Sequence, residues 1–105
     1  MQATDPSLPR LVRVLGSYIS ALGDGLAEDV SAGGESVVLY RLHIAHAASL
    51  LQLLEGQHDE TALREWVDAG NKTYGRSYLP DAAGELAERR FREVVEQLQA
   101  GFFAR

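Results

Sequence analysis

His43 and His46 are the residues of this chain best placed to do chemistry. They stand in "HIAH", and the i,i+3 spacing puts both imidazoles on one face of a helix, one turn apart. On a wheel turned by about 100° per residue, Arg41, Ala48, Ser49 and Gln52 form a polar arc. The apolar arc runs from Leu42 and Leu53 through Leu39, Leu50, Leu54 and Leu51 to Ile44, and both histidines fall inside it. A buried imidazole needs a hydrogen-bond partner, and its charged form is disfavoured by desolvation.

Three roles fit such a pair. The structural role ties each histidine to a tyrosine hydroxyl, a carbonyl or a water, with Tyr18, Tyr40, Tyr74 and Tyr78 to choose from. The interface role brings this face against a second copy of the chain across a two-fold axis. The ligand role gives His43 and His46 a metal, haem or small molecule, with Tyr18 and Tyr40 as neighbours in the binding set. Zinc sites need three or four protein ligands, and carboxylate sites in bundles need inward glutamates on facing helices. The inner faces of the other helices carry no acid, and Asp29 just past the first helix is the nearest exception. His58 stands about 18 Å from His46 along a straight helix. No metal and no cofactor are expected; a metal, if held, would sit on His43 and His46.

"GNKTYGRS", Gly70 to Ser77, is one residue from the phosphate-binding loop G-x-x-x-x-G-K-[ST]. A true loop follows a buried strand, whereas "ALREWVDA" before Gly70 has helical spacing. Arg76 replaces the lysine and is not its equivalent in a phosphate cradle. The expectation is that Gly75 ends a helix in the left-handed conformation. No serine has the strand–turn–helix setting of a nucleophile elbow. Asp24, Glu28 and Asp29 read as a solvated helix end without the ligand spacing of a calcium loop. A proton shuttle through His43 and His46 is the one enzymatic role the sequence leaves open, and it supplies no pocket or substrate for it, so the expectation leans away from an enzyme.

These residues must be held by helices. "TDPSLP" opens the first, with Asp5 or Ser7 as cap, and Leu8, Leu11, Leu15, Tyr18, Ile19, Leu22 and Leu26 recur at three- and four-residue steps. Gly23 and Gly25 weaken its last turn, and 28–34 forms the connection. The second helix begins near Glu35 or Ser36, is apolar around most of its circumference, and is expected to be the most buried; Gly56 reads as its C-cap. Asp59 caps the third, whose stripe is Leu63, Trp66, Val67, Gly70 and Tyr74. Asp81 caps the fourth after Pro80, with Ala87, Phe91, Val94, Val95, Leu98 and Phe102 inward and Leu86 off the stripe. Phe102 and Phe103 are consecutive, so at least one must pack on a neighbouring element or another subunit.

The expected fold is therefore a single all-α domain over 1–105, an antiparallel four-helix bundle with helices near 6–27, 35–56, 60–75 and 81–101. A net charge of −5 gives no general affinity for phosphate backbones, and Arg89, Arg90 and Arg92 are interleaved with Glu85, Glu88, Glu93 and Glu96. Pairs such as Glu85–Arg89 and Glu88–Arg92 make a salt-bridged face. Nucleic acid is not an expected partner. No cysteine is present, which excludes disulfides, thiolate metal sites and cysteine nucleophiles. The N-terminus lacks a signal-peptide pattern, and no apolar run approaches the roughly 20 residues of a membrane span. A cytoplasmic protein with no membrane partner is expected.

The functional expectation is a non-enzymatic protein–protein interaction module that self-associates as a homodimer. A small acidic inhibitor, regulator or accessory subunit would have this character. Trp66, Tyr74, Tyr78, Leu79, Phe102 and Phe103 are the interaction candidates, since aromatic patches carry binding energy out of proportion to their area. The alternative is small-molecule, metal or haem binding in the bundle through His43 and His46.

Overall fold

The computed structural model describes residues 7–56, 59–76, 79 and 81–103. Four helices follow one another: α1 (Ser7–Ser31), α2 (Val37–Glu55), α3 (Glu60–Arg76) and α4 (Asp81–Gly101). Among the described residues there is no strand. The helices form an antiparallel bundle of 47 × 24 × 21 Å. α1 packs most extensively on α4 and next on α2, while α3 closes the ring against α2 and α4 with lighter contacts. Asp5, Gln57, His58, Ser77, Tyr78 and Pro80 lie outside the described residues, as do the side chains of Arg76 and Asp81.

Two helices depart from their expected bounds for a physical reason. α1 does not weaken at Gly25 but continues to Ser31. Gly25 is buried, and a β-carbon built there would lie 2.5 Å from Tyr40 Cε1. The glycine is a notch for α2 rather than a helix breaker. The chain turns instead at Gly33 and Gly34, whose φ angles of 125° and 78° favour glycine. Asp29 then caps the next helix: its Oδ2 accepts the Ser36 N–H at 2.9 Å, while Ser36 makes no side-chain cap of its own. α3 runs through Gly70 and Gly75, so "GNKTYGR" is helical and Gly75 is not left-handed. Gly56 caps α2 in an extended conformation, with its N–H donated to Gln52 O. Asp59 caps α3 as expected, accepting the Ala62 N–H at 2.8 Å.

The core joins all four helices. Leu11, Leu15 and Leu22 of α1 meet Leu50 of α2, Leu63 of α3 and Phe91, Val94 and Leu98 of α4. The expectation that α2 is the most buried helix is corrected. Only Tyr40, His43, Ala47 and Leu50 of α2 are fully buried. Its opposite side keeps Val38 77%, Leu42 48% and Leu51 36% exposed. The expectation about long apolar runs is corrected with it. Val37–Glu55 contains only Arg41 and Glu55 as charged residues, and by length and composition it is apolar enough to cross a membrane.

Candidate functional site

His46 and Trp66 clasp α2 to α3. The His46 Nε2–H donates to the Trp66 carbonyl at 2.9 Å, and the Trp66 Nε1–H donates to the His46 carbonyl at 2.8 Å. A carbonyl can only accept, so the neutral His46 ring carries its proton on Nε2 and leaves Nδ1 as an acceptor. The two rings stack at 4.4 Å with 12° between their planes. Ser49 Oγ adds a further bond to the His46 carbonyl at 2.6 Å. Burial lowers the His46 pKa, His43 nearby lowers it further, and the bond to Trp66 partly offsets both.

His43 lies deeper, one turn earlier on α2. It is buried, and its ring tilts over Tyr74 of α3 at a centroid distance of 4.3 Å. The Tyr74 hydroxyl meets the Tyr18 hydroxyl of α1 at 2.6 Å across the diagonal of the bundle. Burial pushes the pKa of Tyr74 up to about 12 and that of Tyr18 further still. Both phenols therefore stay neutral. Phe91 of α4 touches Tyr18, Tyr74, Trp66 and His46, and so gathers the polar aromatics around one ring. Gly70 exists for this contact: a β-carbon there would fall 2.5 Å from Phe91 and 2.8 Å from His46 Cε1.

The ligand-binding candidates Tyr18, Tyr40 and His43 are all buried, and His46 is half-buried beside them. The structure brings His43 and Tyr18 together through Tyr74, and places Tyr40 against Gly25 of α1. Among the described residues no group of three or more histidines, cysteines or acids could hold a metal ion. Outside the clasp, a shallow groove of about 430 Å³ runs between α2 and α3, with Gln52 and Glu65 on its walls.

The interaction candidates fall into two sets. Trp66, Tyr74 and Leu79 are buried and belong to the core; Tyr78 is outside the described residues. Phe102 and Phe103 are half-buried against the core. Phe103 finds its partner on a neighbouring element: the Arg64 guanidinium of α3 lies over its ring at 4.4 Å. The basic residues of α4 are paired in part. Arg92 reaches Glu88 at 3.7 Å and Arg90 reaches Glu93 at 2.9 Å.

The apolar surface left open is the outer side of α2. Three of the five large hydrophobics exposed among the described residues, Val38, Leu42 and Leu51, stand on this helix; Val12 and Val30 are on α1. Sequence reasoning pointed to surplus apolar surface on this helix but put a self-contact on the His43 and His46 face, which is turned into the bundle, with His43 buried and His46 half-buried. The apolar residues of the outer side were visible, but which flank faces outward depends on where α1 and α3 dock. The chain matches no family model, no curated protein and no solved structure.

Proposed function

We propose that this protein is a non-enzymatic interaction module that binds protein through the outer side of α2, and that its partner is a second copy of itself. The observation that carries this reading is the exposure of Val38 and Leu42 on a helix whose other side is already packed. A bundle helix normally turns charged residues to solvent. Here the outward side holds mainly valine, leucine and alanine, which is the character of a surface that is covered in use.

The histidines support the same reading by being occupied. A ligand on His46 Nε2 would have to break the bond to Trp66 and open the α2–α3 clasp. His43 is held beneath Tyr74 in the core. Both act as packing groups that keep α2 in place while its far side remains free.

Native mass spectrometry of untagged protein tests this directly. The expected spectrum contains a ligand-free dimer that is lost in Leu42→Glu. A strictly monomeric protein would overturn the proposal, and so would a mass excess that disappears in His43→Leu.

A further inference from the structure

The outer side of α2 carries its charges in a self-complementary order. Arg41, Ala45, Ala48, Gln52 and Glu55 follow at alternating four- and three-residue steps, and all five are exposed. The stripe thus has one cation at its start, one anion at its end, and two alanines and Gln52 between. Arg41 and Glu55 stand at equal distances from Ala48, about 10 Å along the axis on either side. Neither makes an ion pair among the described residues.

We propose that two copies pair α2 against α2′ in antiparallel fashion about a two-fold axis at Ala48, with Arg41 of each copy facing Glu55 of the other. This rests on the self-association reading above. A two-fold contact repeats the same patch on both sides. A parallel pairing would put Arg41 beside Arg41 and Glu55 beside Glu55, and like charges in an interface are repulsive. The antiparallel pairing turns both contacts attractive. The same register brings Leu42 beside Leu53 of the other copy on one flank, and Ile44 beside Leu51 on the other. Ala48 at the axis has no bulk, and Ala45 leaves room for Gln52 of the other copy, so the axes can approach within the ordinary packing range of about 8–10 Å. One helix pair makes a small interface, so the dimer belongs to the weak, reversible class.

Sedimentation equilibrium of the full chain at low salt, with wild type, Arg41→Glu, Glu55→Arg and an equal mixture of the two, tests the register. Wild type should dimerise. Each variant alone should weaken the dimer roughly tenfold, since two attractive pairs become repulsive. The mixture should recover, because one copy then carries acids at both ends of the stripe and the other carries bases at both. Each end of the mixed dimer again joins opposite charges. The natural chain has no cysteine, so Ala48→Cys offers an independent check. Oxidation should link two copies rapidly through this position near the axis, whereas Val12→Cys on α1 should link slowly. Dimerisation that ignores both charge changes, or that does not recover on mixing, would overturn the register while leaving self-association standing. A wild-type monomer would remove both proposals. So would a monomer that binds phosphatidylcholine vesicles through α2, and Leu42→Glu would then abolish that binding.

Discussion

Protonating His46 works against the packed bundle. Its pKa is lowered chiefly by burial, so below about pH 6.5 the unfolded chain binds more protons than the folded one. The stability this group contributes is complete above that value and declines as the pH falls through the lowered folded-state pKa. Urea midpoints taken from pH 7.5 down to about 5 should therefore fall in wild type. They should fall less steeply in His46→Gln, whose amide can still donate to the Trp66 carbonyl but does not titrate. Parallel curves would remove His46 as the titrating group. The Tyr18–Tyr74 bond makes a second expectation. Tyr18→Phe leaves a buried hydroxyl without this mate, at a cost of about 1–3 kcal/mol. The change in both tyrosines should cost less than the two single changes added together, as a double-mutant cycle in urea would read. That the histidines lie inward was legible from the wheel. Their partners were not, because Trp66 and Tyr74 sit on another helix whose rotation no local pattern records.

Four glycines in helices separate what periodicity can report from what it cannot. In the sequence Gly23 and Gly25 look alike as weak points, and only Gly70 falls on an inward stripe. Gly16 and Gly23 have open space where a β-carbon would go, whereas Gly25 and Gly70 meet Tyr40 and Phe91 at 2.5 Å. Alanine at either of the first two should stabilise the bundle by roughly 0.5–1 kcal/mol through helix propensity. Alanine at Gly25 or Gly70 should destabilise it by about 1–3 kcal/mol through overpacking. Thermal melts of the four variants should divide along this line; a uniform response would mean that the two ring contacts yield freely. The same distinction explains why α1 was expected to end near residue 27. Periodicity found the inner stripe Leu11, Leu15, Tyr18 and Leu22, because burial repeats along the chain itself. The purpose of Gly25 lies across the interface in Tyr40, so the sequence showed only a flaw. The limits of α3 and α4 were legible to within a residue or so, and at α3 the cap that marks the start, Asp59, is in place.

The bundle as a whole was readable as four helices with short connections, but the sharing of burial among them was not. α2 has the most apolar sequence and yet leaves an apolar side open, because α1 and α3 cover only one side of it. If that surface pairs two copies, folding and association are linked, and the melting temperature should rise with protein concentration. Wild type scanned across a hundredfold range of concentration should show the rise, and Leu42→Glu should not. A concentration-independent melt in wild type would argue that the open side of α2 is not used for self-pairing.

The stacking of the lone tryptophan on His46 has an optical consequence. An excited indole loses its emission readily to an adjacent imidazolium and far less to a neutral imidazole. The Trp66 signal therefore reports two events at once without any label. Acid dims it while the rings still touch, and separation of α2 from α3 restores brightness with a shift to the red as water reaches the ring. The order in which those two changes appear during an acid jump reveals whether the charge on His46 precedes the parting of the helices.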